Sequence, residues 1–263
     1  MKIIISPAKK MNVDTDTLEG HTLPEFLKEA AEIMHWMQKL TYDEAKKLWG
    51  CNEKIAGLNY ERFQEMELKK NLTPAILSYE GIQYQSMAPA VFSDGELEYI
   101  QEHLRILSGF YGVLKPMDGV VPYRLEMQAK AKVNGTESLY DFWAERLYRA
   151  VLDESRIIIN LASREYAKII ERYLKSEDRF LTCIFGEMQN GRVIQKGTKA
   201  KMARGEMVRY MAENRVEDPD QMKAFCRLGY CFSQEFSTEN VYTFLQSATK
   251  NQEEIRVKSR GKA

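Results

Sequence analysis

Two runs of three isoleucines, Ile3-Ile4-Ile5 and Ile157-Ile158-Ile159, limit what this chain can fold into more than any other feature of it. Each is short, β-branched and apolar at every position, the pattern of a strand buried on both faces. Each also ends in polar residues: Ser6-Pro7-Ala8-Lys9-Lys10 after the first, Asn160-Leu161-Ala162-Ser163-Arg164-Glu165 after the second. In an open α/β sheet, ligands bind in the crevice outside the carboxyl ends of the strands, so Ser6, Lys9, Asn160, Ser163 and Glu165 are candidate pocket residues. Plainer roles stand beside this one. The segment after Ile5 also suits a solvated loop. Ser163 suits the N-cap of the helix that follows, since no histidine lies near it in sequence to activate a nucleophile.

Most of the remaining apolar pattern is helical. Thr22, with Pro24 and Glu25, marks a helix start ahead of an apolar face running from Phe26 to Met37, and Thr41 with Glu44 repeats the capping-box spacing. Asn52 to about Gln64 reads as a third helix, and Ser93 with Glu96 caps another. The alternation of Tyr79, Ile82 and Tyr84 predicts a strand or extended loop, and Asn190-Gly191 a hairpin. Aromatics alternating with polar residues from Phe225 to Phe244 predict closing strands. With no internal repeat and no linker rich in Gly, Ser or Pro, the expectation is a mixed α/β (α+β) fold. It forms a single compact domain over residues 1–249, a central sheet flanked by helices, with a disordered tail over 250–263.

Charge and cysteine usage narrow the function classes. The 38 basic and 38 acidic side chains cancel, so any nucleic-acid contact must come from local clustering of Lys and Arg. The apolar run after Met1 is too short for a signal peptide, and no run approaches the ~20 residues of a membrane span. A cytoplasmic protein is expected, with no membrane and no protein partner. Cys51, Cys183, Cys226 and Cys231 are sparse, which fits reduced thiols. The Cys226/Cys231 pair lacks a matching second pair or nearby histidines, so no metal and no cofactor is expected.

Gln101 to Met127 carries the most motif-like pattern. Leu104, Ile106 and Leu107 precede Ser108-Gly109-Phe110-Tyr111-Gly112, and Val113 and Leu114 resume the apolar run. That order predicts helix, tight turn, helix, similar to the helix-hairpin-helix that holds nucleic-acid backbones. The glycines would let a phosphate approach the amides of Gly109 and Gly112, while Ser108, Tyr111 and Lys115 supply donors and charge. An ordinary inter-helix turn fits the same spacing. Tyr123-Arg124-Leu125-Glu126 follows, a phenol, a cation and a carboxylate in one short stretch. Lys196 to Gly205 is the densest basic run, with Lys201 and Arg204 one helical turn apart. A solvated face is its plain reading, but the interleaved Gly197, Ala200, Ala203 and Gly205 would admit a phosphate or a backbone.

Taken together, the blocks at Ile4–Lys9, Leu107–Asp118, Pro122–Met127, Asn160–Tyr166 and Lys201–Gly205 resemble the YaaA family of bacterial peroxide-stress proteins over nearly the whole chain. The resemblance implies a role in limiting free iron and oxidative DNA damage. It also implies a single unusual mixed fold that binds double-stranded or branched DNA through a basic cleft and a helix-hairpin-helix. The chain departs from the family at Met202, where members place the second of two adjacent lysines, leaving Lys199 or Lys201 to carry that charge. The DNA-binding expectation rests on Ser108, Gly109, Tyr111, Gly112, Lys115, Arg124, Lys199, Lys201 and Arg204. The alternative is an enzyme acting on a nucleotide or nucleic-acid base, with Ser6, Lys9, Glu126, Asn160, Ser163 and Glu165 around its pocket. Convergence of Glu126 and Glu165 in one pocket, with a raised carboxylate pKa, favours the enzyme. An effect on iron is expected to be indirect.

Overall fold

β1 (Lys2–Ile5) is the hub of the sheet, and Ile3, Ile4 and Ile5 have no solvent exposure, as an all-apolar strand requires. The structure, a computed structural model, describes residues 1–14 and 22–246. The predicted tail at 250–263 lies outside the described residues. After the short β2 (Lys10–Met11) come α1 (Leu27–Gln38), α2 (Tyr42–Trp49) and α3 (Glu53–Gln64), a helical layer whose inward Ala30, Ile33, Met37, Ala56 and Phe63 are buried. Thr41 and Glu44 close the predicted capping box on α2. Thr22 does not cap α1. Its hydroxyl donates to Asp118 Oδ1 at 2.6 Å, and the helix begins at Leu27.

β3 (Thr73–Pro74), α4 (Ala75–Ser78), β4 (Tyr79–Glu80) and α5 (Ile82–Met87) follow, with β2 paired to β4. Tyr84 thus lies on a helix, not on the strand its alternation predicted. α6 (Asp94–His103), closed by the Ser93/Glu96 capping box, runs into β5 (Leu104–Ser108), β6 (Gly112–Leu114) and β7 (Gly119–Val120).

Here the structure corrects the helix-hairpin-helix expectation. Gly109 and Gly112 bound a β-hairpin, with Ile106 opposite Leu114 and Ser108 opposite Gly112. The physical reason is burial. Leu104, Ile106 and Leu107 have no exposure on either face of β5, which an amphipathic helix could not achieve, and β5 also pairs in parallel with β1. Ser108 Oγ accepts the amides of Phe110 and Tyr111 at 3.1 and 2.8 Å, so the serine serves the turn itself.

α7 (Leu139–Trp143) and α8 (Arg146–Val151) lead to β8 (Ile157–Asn160), α9 (Arg164–Glu171), β9 (Arg179–Gln189), β10 (Arg192–Ile194) and α10 (Gly197–Glu213). β11 (Cys226–Arg227), β12 (Tyr230–Phe232) and β13 (Val241–Gln246) close the fold. The nine-stranded sheet has the order β11-β12-β13-β9-β8-β1-β5-β6, with β10 on β9. From β13 to β5 its strands run parallel. Cys226 and Cys231 face each other across the β11/β12 hairpin and form a disulfide, correcting the expectation of reduced thiols there; only the cross-strand register brings their Cα atoms to 4.4 Å. Cys51 and Cys183 are free.

The connectivity singles out one place. From β1 the chain crosses to β5 on one side, and from β8 to β9 on the other. Connections that leave adjacent parallel strands in opposite directions open a crevice between them at the carboxyl ends, the switch point at which open α/β sheets bind ligands.

Candidate functional site

The two strand ends at that switch point are tied together by their serines. The Ser163 amide donates to Ser6 Oγ at 2.8 Å, and Ser6 Oγ donates to Ser163 Oγ at 3.1 Å. Ser163 holds the N-cap position of α9, but its hydroxyl makes no capping bond and turns to Ser6 instead. Tyr84 on α5 reaches over and donates its hydroxyl to the Ser6 carbonyl at 2.9 Å. Asn160 lies behind the wall: its Oδ1 accepts the Ala162 amide and its Nδ2 donates to Thr182, so it shapes the turn rather than lining the opening.

The crevice has a volume of about 480 Å³, within the range of small-ligand sites. Ser6, Lys9, Glu126, Ser163 and Glu165 line it, and so do Arg124, Lys201 and Arg204. Residues from four separate sequence blocks therefore share one concave surface, and the block Leu107–Asp118 does not line it.

Its two carboxylates differ in setting. Glu126 is ion-paired with Lys9 at 2.9 Å and with Arg124 at 3.5 Å. Glu165 is half-buried, and its Oε1 accepts the Gln128 amide at 3.2 Å. Burial holds the Glu165 pKa above the ordinary glutamate value, and the Glu126 charge pushes it the same way against the pull of backbone amides and Lys9. A group whose folded-state pKa exceeds its unfolded one stabilises fully below the unfolded value, and that stability is lost as pH rises through the folded value. Glu165→Gln is therefore expected to melt higher than wild type at neutral pH, with the gap closing on acidification through the carboxylate range. Thermal melts at several pH values check this, and a gap independent of pH contradicts it.

The cations come from α10 by close packing. A Cβ on Gly205 would sit 2.1 Å from the Gln83 carbonyl oxygen, so only glycine lets α10 press against α5. Ala200 and Ala203 are buried on the same helix, and Lys201 and Arg204 line the crevice. The small residues in the basic run thus admit a backbone. Arg204 keeps only partial exposure through the opening, makes no hydrogen bond or ion pair among the described residues, and its Nε is buried without a partner. Burial pushes its pKa below the usual arginine value. The Nε of Arg124 is likewise buried and unpartnered.

The other residues expected to touch DNA do not join them. Ser108, Gly109, Tyr111 and Gly112 are buried in the β5/β6 hairpin. Lys115 is exposed beyond β6, toward the amino-terminal end of β5, because β6 runs antiparallel. Lys199 is tied to Glu187 at 2.6 Å and to Gln246 at 2.9 Å. The hairpin acts on the crevice from behind. Ser108 Oγ shares a hydrogen bond of 2.6 Å with the Tyr123 hydroxyl, and Tyr123 lines the crevice while bonding Tyr79 at 2.7 Å. A Cβ on Gly109 would lie 2.7 Å from the Leu125 carbonyl oxygen and 3.0 Å from Glu126 and Met127 backbone atoms, so this glycine seats the segment that carries Glu126.

Sequence reasoning missed Tyr84 and Tyr166 in the lining, and Lys10, ion-paired to Glu80 at the rim. No sequence signal marks the first, because the six-residue helix Ile82–Met87 is too short to show a period. Among the described residues no helix is long and apolar enough to cross a membrane, and no three His, Cys, Asp or Glu side chains cluster to hold a metal.

Fold and crevice define an open mixed α/β protein with a polar, cation-bearing crevice at its switch point. The chain belongs to the peroxide stress protein YaaA family, whose sequence profile matches residues 1–236. It is 55% identical over 244 residues to a UPF0246 protein of Agathobacter rectalis, covering 93% of this chain and 98% of that one. UPF0246 proteins of Desulfitobacterium hafniense and Pediococcus pentosaceus are 53% and 51% identical over 247 residues, each covering 94% of this chain and 98% of the relative. Membership gives the chain a general role in oxidative stress.

Proposed function

We propose that this is a cytoplasmic stress protein whose crevice binds a phosphate-bearing ligand of the nucleotide class, and that Glu165 exchanges a proton with that ligand. The observation carrying this is Arg204. A guanidinium held mostly out of water, with its Nε buried and unpartnered, is costly, and an anion entering the crevice supplies the missing charge and acceptors. Lys201 and Arg124 stand beside it in the same lining. Glu165, raised in pKa and facing an ion-paired second carboxylate, has the setting of an acid–base group. Calorimetric titration with AMP at low salt tests the reading. Saturable binding that weakens in Arg204→Gln is expected, and no binding by wild type of AMP or of a short single-stranded oligonucleotide contradicts it.

A second reading is favoured by the exposed Lys9, Lys10 and Lys201 around the opening. A DNA backbone, double-stranded or branched, docks across that rim through phosphate contacts alone, with affinity falling steeply as salt rises. It needs nothing from the glycine hairpin. Charge reversal at Lys201 weakens duplex and junction DNA binding in this reading and leaves AMP binding through Arg204 measurable. In both readings the effect on iron-dependent damage is exerted on nucleotides or nucleic acid, and stoichiometric iron in the purified protein contradicts both.

A further inference from the structure

A second cavity, of about 690 Å³, adjoins the crevice and shares Glu126 as a wall. Its character is different. Trp36, Leu40, Leu48, Trp49 and Ala129 give it mainly apolar sides, while Lys47 and Lys130 stand at its rim.

The partition between the two spaces is the segment 121–128. Val121, Tyr123, Leu125 and Met127 are buried, while Arg124, Glu126 and Gln128 alternate with them and stay accessible. Residues 121–126 run extended, so period-two alternation puts Arg124 and Glu126 on one face, and a turn closed by the Ala129 amide on the Glu126 carbonyl at 3.0 Å carries Gln128 onward. Arg124 and Glu126 line the crevice, and Glu126 and Gln128 line the apolar cavity. The Gln128 amide also holds Glu165. One strip of chain therefore presents a cation, a carboxylate and a carboxamide in sequence from the Arg204 side to the indole side.

The indole side has an unmet requirement of its own. Trp49 is 7% exposed, stacks on Phe63 with ring centroids 6.0 Å apart, and its Nε1 is buried with no hydrogen-bond partner. A buried indole N–H ordinarily finds an acceptor. The phosphate-seeking guanidinium and the indole-walled space thus stand on either side of Glu126.

We infer that the two spaces form one bipartite site, in which the ligand's phosphate meets Arg204 and Lys201 while its flat heteroaromatic base enters the cavity between Trp36 and Trp49. The inference rests on the reading of the crevice as a phosphate site and names the rest of its ligand. A nucleobase suits the cavity because it offers π-faces to indole and ring nitrogens as acceptors for Trp49 Nε1. The ribose then passes Glu126 and Arg124. The base comes either from a free nucleotide or from a nucleotide within a single strand, and the chemistry recognised is the same.

The test uses the full-length protein with four ligands: inorganic phosphate, ribose 5-phosphate, AMP and a short single-stranded oligonucleotide. Wild type, Trp36→Ala, Trp36→Phe and Arg204→Gln are compared, with circular dichroism confirming that each is folded. AMP or the oligonucleotide is expected to bind wild type about ten- to a hundredfold more tightly than ribose 5-phosphate, the worth of stacking one base. Trp36→Ala removes that advantage without changing ribose 5-phosphate affinity, and Trp36→Phe restores most of it. Tryptophan fluorescence is quenched by the base-bearing ligands and not by ribose 5-phosphate. AMP binding identifies the source as a free nucleotide, and binding of the oligonucleotide alone identifies it as nucleic acid. If base-bearing ligands gain nothing over ribose 5-phosphate, or Trp36→Ala weakens every ligand equally, the bipartite site is wrong while Arg204-dependent phosphate binding stands. If no ligand binds at all, both the inference and the crevice reading fall.

Discussion

Replacing Arg204 with methionine is expected to leave the ligand-free protein at least as thermally stable as wild type while weakening AMP binding by roughly 10- to 100-fold. The two effects have opposite signs because the guanidinium serves the ligand rather than the fold. Among the described residues it meets no carboxylate and no hydrogen-bond acceptor, and its Nε is buried. An apolar side chain of similar length removes that cost, as exchange of buried charge for hydrophobic volume often does. Arg204→Lys retains charge but loses the planar fork, so it falls between the two in affinity. Thermal melts with and without AMP read both quantities at once, since a ligand that binds only the native state raises the melting temperature by mass action. A large loss of stability in Arg204→Met would assign this residue to the core and remove the main argument for the crevice.

Gly109→Ala is expected to damage the fold and the crevice together. The added Cβ would meet backbone, the Leu125 carbonyl oxygen at 2.7 Å and Glu126 and Met127 atoms at 3.0 Å, and backbone cannot rotate away as a side-chain tip can. Overpacking of this kind costs about 1–3 kcal/mol, or several degrees of melting temperature in a chain of this size. The displaced segment carries Glu126, and its next residues hold Glu165, so AMP binding falls together with stability. Gly197→Ala is the control: nothing lies within 4 Å of its Cβ, and both quantities should stay near wild type. Were Gly109 instead part of an exposed phosphate-holding turn, alanine there would weaken binding and leave the melting temperature alone.

That contrast shows where sequence reasoning reached and where it stopped. The isoleucine runs announced β1 and β8, and the polar residues after them announced the crevice, because a short all-apolar run has few other solutions. Glu126 and Glu165, 39 positions apart by their numbering, do meet in one lining, and the Glu165 pKa is raised. Gly205 was legible as a close-approach residue, though not what approaches it. The glycine pair at 109 and 112 was misread because the spacing fits a turn between helices as well as one between strands. Only the pairing of β5 with β1, over a hundred residues away, decides the matter. Tyr84 was misread for a related reason: the span Ile82–Met87 is too short for helical periodicity to show. The Cys226–Cys231 bond depends on a hairpin register that composition does not reveal. Trp36 and Trp49 drew no functional role from the sequence, since an aromatic on a helix is usually core. Their place beside the crevice appears only when segment 121–128 is seen to separate two cavities.

The most direct test of the central claim is a crystal structure of the protein soaked with AMP at saturating concentration. The account predicts the phosphate within hydrogen-bond distance of the Arg204 guanidinium, between the ends of β1 and β8, with the adenine beyond Glu126 against the indoles. Density for the nucleotide elsewhere on the surface, or an unoccupied crevice with Arg204 unmoved, would contradict it.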